Sequence, residues 1–188
     1  MKIGIDFDDC IVNLCPALID FYNKIDGTAY SVADSESFDL GNLWKIDTET
    51  ANERCLNFLL HEEKLNIAPV FGVVDALNKL KEKHELIIVT GRPEATKDFM
   101  VRWLNKHSIN FFSEIIFSSQ FNGEKRGKAE ICIDEKVDIF IDDNLQNILD
   151  IAKEKIKCFL MDTPWNQELV PEYAIRVKGW KEIMEEIN

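Results

Sequence analysis

Five short runs of Ile, Val, Leu and Phe, at residues 2–7, 85–90, 114–117, 138–141 and 157–161, show no regular polar alternation. A strand with one wet face alternates apolar and polar residues, so these runs suit strands covered on both sides, as in a parallel sheet. Helical periodicity fills most of the gaps. Val73, Val74, Leu77 and Leu80 form one apolar stripe, Phe99, Met100, Trp103 and Leu104 a second, and Leu145, Ile148, Leu149, Ala152 and Ile156 a third. Strands alternating with helices of this length specify an α/β fold with a doubly wound (Rossmann-like) parallel sheet. In such a sheet the ligand crevice opens beyond the carboxyl ends of the strands.

The alternation is interrupted once. Residues 14–70 hold two further helical patterns, Leu18, Phe21, Tyr22 and Ile25, then Cys55, Leu56, Leu59 and Leu60, around a polar, turn-rich stretch from 26 to 48. A crossover between parallel strands needs far less chain. This segment is expected to be a small helical cap inserted after the first strand, leaving residues 1–13 and 71–188 as the α/β core domain.

The acids fall where such a crevice would open. Asp6, Asp8 and Asp9 close the first run, Asp142 and Asp143 close the fourth, and Thr90 with Gly91 behind it closes the second. Carboxylates gathered at one place raise one another's pKa and remain ionised most easily around a hard cation. Mg²⁺ takes oxygen ligands and commonly sits on one or two carboxylates plus a substrate phosphate. Asp143-Asn144 alone could be a helix cap. Two acid clusters and a strand-ending Thr together ask for more than capping.

Lys and Arg number 22 against 34 Asp and Glu, for a net charge of −12. Such a surface repels phosphate backbones and anionic lipid, so neither a nucleic-acid polymer nor a membrane is an expected partner. A small phosphorylated substrate remains admissible if local cations screen it. Five cysteines without a C-x-x-C pair suit reduced thiols, not a zinc site or a disulfide frame, and with an acid already at Asp6 they point to a cytoplasmic chain. His61, His84 and His107 are scattered and carry no expected role.

The segment Asp6-Phe7-Asp8-Asp9-Cys10, Thr90 in Thr90-Gly91-Arg92, Lys128 ahead of the fourth strand and Asp142-Asp143 in I-F-I-D-D-N occur in that order. In this they resemble the four motifs of the haloacid dehalogenase superfamily of phosphatases. Cys10 departs from the usual Thr or Val, and Lys125, Arg126 and Lys136 compete with Lys128 for the third motif. A cap directly after the first motif, and the stretch A-P-V-F-G-V-V-D-A-L from Ala68 to Leu77, resemble the 5′(3′)-deoxyribonucleotidase-like branch, although Arg92 departs from it.

The resemblance implies a Mg²⁺-dependent phosphatase acting through an aspartyl-phosphate. Asp6 would be the nucleophile and Asp8 the acid and base. Thr90, Gly91, Arg92 and Lys128 would hold phosphate. The metal would rest on Asp6, the Asp8 main-chain carbonyl and Asp142, with Asp143 in support. The implied substrate is a nucleoside (deoxyribo)monophosphate. A sugar phosphate, or phosphate binding without turnover, are the alternatives. In the cap, Trp44 and Phe38 are candidate substrate contacts, set against a role in the cap's own core; Trp165 could reach the crevice rim and Trp180 reads as packing. A homodimer through the cap is compatible with the sequence. Haloalkanoate dehalogenation would need neither Asp8 nor a metal. A signalling receiver domain would place an acid after the third strand, where Phe117-Ser118-Ser119 stands.

Overall fold

The computed structural model describes residues 1–61, 66–118 and 126–187. Its six strands, β1 (Lys2–Ile5), β2 (Glu85–Thr90), β3 (Glu114–Phe117), β4 (Ile139–Asp142), β5 (Lys157–Met161) and β6 (Ala174–Val177), form one parallel sheet in the order β3-β2-β1-β4-β5-β6. The order reverses direction between β1 and β4, and a doubly wound sheet binds its ligand at that switch point.

Both faces of the strands are apolar, for the reason the uninterrupted runs suggested. Ile3, Ile5, Ile88, Ile141 and Phe159 belong to one buried cluster, with Leu77 and Leu80 of α4 (Val73–Leu80), Met100 and Trp103 of α5 (Lys97–Lys106) and Ile183 of α8 (Trp180–Ile187). Ile87, Val89, Phe140, Cys158 and Leu160 belong to the other, with Ile131 of α6 (Lys128–Asp134) and Ile148 of α7 (Leu145–Ala152). Gly4 pairs with Phe140 across β1 and β4, and a Cβ at position 4 would stand 2.7 Å from Cδ2 of that fully buried ring. Gly4→Ala is therefore expected to destabilise the fold by about 1–3 kcal/mol, the usual cost of overpacking, measurable as a lowered denaturation midpoint.

Residues 14–61 supply α1 (Leu14–Asp26), α2 (Leu40–Trp44) and α3 (Thr48–His61) and no strand, the helical cap region of this fold. Trp44 packs in its core. It is buried, its ring centroid lies 5.1 Å from that of Tyr22, and the Arg54 guanidinium covers both rings while pairing with Asp26.

Three sequence expectations shift. β1 stops at Ile5 instead of 7, because the Phe7 carbonyl turns to accept from the Ile11 and Val12 N–H groups. β4 is displaced by one residue, so Asp142 ends the strand and does not follow it. β6 escaped notice because Ala-Ile-Arg-Val is a four-residue, half-buried strand carrying an Arg.

Candidate active site

The chain leaves β1 in a tight loop. Asp9 adopts φ +53°, a conformation Asp tolerates better than most residues, and its N–H donates to the Val12 carbonyl. Its carboxylate accepts from the Cys15 N–H at 2.9 and 3.1 Å and so fixes the start of α1. The Asp6 N–H still donates to Ile141 O of β4, which holds the Asp6 side chain beside the end of that strand.

At the end of β4, Asp142 is fully buried. Its Oδ1 accepts from the Asn144 N–H at 2.8 Å; its Oδ2 accepts from Lys128 Nζ and Asn147 Nδ2, both at 2.9 Å. Asn144, not Asp143, caps α7 by accepting from the Asn147 N–H. Asp143 instead accepts from the Trp165 indole N–H at 3.0 Å, and Asn166 donates to its main-chain carbonyl at 2.6 Å. Arg176 of β6 in turn donates to Asn166. The turn at 163–166 and β6 thus brace Asp143, a support the sequence reading missed although Thr163-Pro164-Trp165-Asn166 sits directly after the fifth run.

Lys128 opens α6 and is buried, with Nζ 2.8 Å from Asp6 Oδ1 and 2.9 Å from Asp142 Oδ2. Of its sequence competitors, Arg126 pairs with Asp134, Lys136 stands in the turn beyond the far end of α6, and Lys125 lies outside the described residues. Burial works against the Lys128 charge, but Asp142 and Asp6 outweigh it and hold the ammonium above its ordinary range. Burial pushes Asp6 up to about 7, Lys128 pulling it down while Asp142 and Asp8 add to the rise. Asp9 is raised to about 8, chiefly by burial, and Asp143 well above the usual carboxylate range by burial and then Asp142.

These carboxyls fit a divalent cation. Asp6, Asp142 and Asp143 are buried and each offers an oxygen within 4.8 Å of the others. Asp6 Oδ1 has Lys128 as a charged neighbour but no aligned hydrogen-bond donor among the described residues. An oxygen-only donor set of this kind suits a hard ion, whose charge would relieve the repulsion.

Above the acids opens a cavity of about 610 Å³. Asp6, Asp8, Gly91, Arg92, Lys128 and Asp143 stand on its floor side, with Leu18, Phe38, Cys55 and Phe58 from the cap region and Ser118 and Trp165 from the core. Thr90 is fully buried at the end of β2, its Oγ1 accepting from the Arg92 N–H at 3.2 Å. Phe38 lines the cavity and is 57% exposed, whereas Trp44 does not line it. The candidate contact at Trp44 therefore gives way to packing, because Tyr22 and Arg54 enclose its ring. The Arg92 guanidinium grips Asp8, with Nε 3.0 and 2.9 Å from the two oxygens and a terminal NH2 2.6 Å from Oδ1. Trp180 packs as expected, its indole donating to Cys10 O at 2.8 Å.

A parallel sheet with this strand order and a helical cap region is the haloacid dehalogenase-like fold. YfnB of Bacillus subtilis, described as a candidate hydrolase of that superfamily and solved bound to magnesium, superposes with a TM-score of 0.68 at 16% identity, covering 100% of this chain and 98% of that one. The family described as 5′ nucleotidase, deoxy (Pyrimidine), cytosolic type C protein matches residues 1–188, and the chain belongs to it: it is a nucleotidase. YqfW of Bacillus subtilis is 26% identical over 195 residues, 100% of this chain and 94% of that protein. A nucleotidase of Clostridium acetobutylicum is 25% identical over 185 residues, 97% of this chain and 91% of its own. Among the described residues no helix is long and apolar enough to cross a membrane.

Proposed function

We propose that the protein hydrolyses nucleoside 5′-monophosphates, deoxyribonucleotides foremost, through an aspartyl-phosphate on Asp6. The observation that carries this reading is the meeting of Asp6, Asp142, Asp143 and Lys128 at the β1/β4 switch point beneath a cavity of about 610 Å³. That volume lies within the usual range for small-molecule sites, roughly 300–1,000 Å³. Residues 14–70, read as an inserted cap, would close over the bound substrate and exclude water. Phe38 offers an exposed ring for the base, with Leu18 and Phe58 as apolar wall.

A carboxylate approaching a phosphate dianion at 4 Å meets a repulsion of about 8 kcal/mol at an effective dielectric near 20. Mg²⁺, when bound, offsets this repulsion and polarises the phosphoryl oxygens. Asp6 and Asp143 would offer it carboxylate oxygens, with the main-chain carbonyl of Asp8. Asp142 belongs to the same cluster and also holds Lys128 beside Asp6: its Oδ2 accepts from Lys128 and Asn147, while its Oδ1, accepting from the Asn144 N–H, keeps a lone pair that would be available to the ion. Asp6 attacks phosphorus in line as the bond to the ester oxygen breaks. Asp8 protonates that oxygen, and then takes a proton from the water that cleaves the aspartyl-phosphate. Lys128 and the N–H groups after Thr90 bear the charge on the phosphoryl oxygens.

A phosphate-release screen over 5′- and 3′-nucleotides, deoxy and ribo, beside sugar phosphates, tests the reading. The expected result is highest kcat/KM on 5′-deoxyribonucleotides and no turnover once a chelator removes divalent ions. Equal rates on sugar phosphates, or turnover that survives chelation, would refute it.

A further inference from the structure

We propose that Arg92 is a positioning residue that holds the Asp8 carboxylate for proton transfer and is not a ligand of the substrate phosphate. The proposal rests on the reading of Asp8 as acid and base given above. Asp8 stands on a loop: β1 has ended at Ile5 and the chain reverses at Asp9. A carboxylate on such a loop needs an external brace to keep one orientation, and proton transfer depends on orientation. A misplacement of about 1 Å can cost about a hundredfold in rate.

Arg92 supplies that brace from β2. Its N–H is fixed by Thr90 Oγ1, and its side chain is completely buried. The guanidinium reaches both oxygens of Asp8 through Nε and a terminal NH2, the fork geometry a lysine cannot reproduce. The Phe7 ring centroid lies 4.7 Å from Arg92 Cζ and that of Phe99 5.6 Å, so the planar group is wedged between two aromatic side chains. Asp8 itself keeps 22% of its side chain exposed and lines the cavity. The pair therefore presents the acid, and not the guanidinium, to an arriving ester oxygen.

Two functions predict different losses. A phosphate ligand serves every phosphate monoester alike. A residue acting through the general acid matters only when the leaving oxygen needs a proton. A nucleoside alkoxide needs one; p-nitrophenolate does not.

The test measures single-turnover rates with enzyme in excess, on a deoxynucleoside 5′-monophosphate and on p-nitrophenyl phosphate. The proteins compared are the wild type, Arg92→Gln, Arg92→Lys, Asp8→Asn and the Asp8→Asn/Arg92→Gln double variant. In Arg92→Gln the nucleotide rate is expected to fall about 100-fold, with half-saturation nearly unchanged, while formation of p-nitrophenolate falls by less than about fivefold. Arg92→Lys keeps the buried charge, and with it the fold, and still loses about tenfold on the nucleotide because it cannot span both oxygens. The double variant is no slower than Asp8→Asn alone, the mark of two residues acting as one unit. Equal losses on both substrates with weakened half-saturation would overturn the proposal in favour of a phosphate ligand, as would an Arg92→Lys protein indistinguishable from wild type. Full nucleotide activity in Asp8→Asn would instead refute the acid–base role itself.

Discussion

Asp6→Asn will abolish turnover while leaving a folded protein that still takes up substrate. The amide is nearly the same size and keeps the site's shape, but it has no carboxylate to attack phosphorus. Loss of a covalent nucleophile elsewhere costs up to about 10⁶-fold in kcat, and a fall beyond about 10⁴-fold is expected here. The same substitution has an opposite effect on stability. Burial raises the Asp6 pKa to about 7 in the metal-free fold, against an ordinary value of 3.8. The unfolded chain therefore releases this proton earlier than the folded one, and the metal-free wild type loses stability as pH climbs through that interval. Asn cannot ionise and escapes the penalty. Its melting temperature is expected to match or exceed that of metal-free wild type by a margin that widens between pH 4 and 7. Added divalent ion narrows the margin by favouring the wild-type carboxylate. Phosphate-release kinetics and melting curves across that pH range decide both claims. Residual activity within a hundredfold of wild type would remove Asp6 from the role of nucleophile.

What could be read from the chain before its fold was known follows from what is local. The runs around Ile3, Ile87, Phe140 and Phe159 announce strands because parallel strands bury both faces, and burial excludes polar alternation. Asp6 and Asp142 could be placed at one crevice because parallel strands deliver their carboxyl ends to the same edge. Side-chain partnership across the sheet is not local. Nothing in Thr90-Gly91-Arg92 says that the guanidinium folds back on Asp8, 84 positions earlier in the chain. Phe7 and Phe99, which trap it, are themselves assigned to strand end and helix by pattern alone. In the same way nothing local in Asp142-Asp143 says which partners each acid meets. Their difference comes from Lys128 and Asn147 on one side and Trp165 on the other. Trp44 misled for a further reason: a polar stretch suggested exposure, but Tyr22 and Arg54 arrive from neighbouring helices to cover it. β6 was invisible because an edge strand needs little apolar sequence once β5 offers it a ladder.

Lys128→Met separates the structural duty of this lysine from its chemical one. The ammonium lies between two buried carboxyls, 2.8 Å from Asp6 and 2.9 Å from Asp142, and Asp142 is wholly inaccessible. Removing one partner of a buried pair strands the other charge, a change that costs about 3–5 kcal/mol. At roughly 2–4 °C per kcal/mol for a chain of this size, the melting temperature should drop on the order of 10 °C. Turnover should fall at least about 100-fold, because the charge growing on the phosphoryl oxygens loses the cation beside Asp6. Adding Asp142→Asn to Lys128→Met removes the stranded carboxylate, and most of the lost stability should return. Activity should not, because no neutral pair restores the positive charge beside Asp6. A double variant that regains both would make Lys128 a purely structural counter-ion; one that regains neither would mean that Asp142 is not the charge the lysine serves. Recovery of stability alone identifies Asp142 as the buried charge that Lys128 neutralises, and leaves the lysine a separate chemical duty beside Asp6.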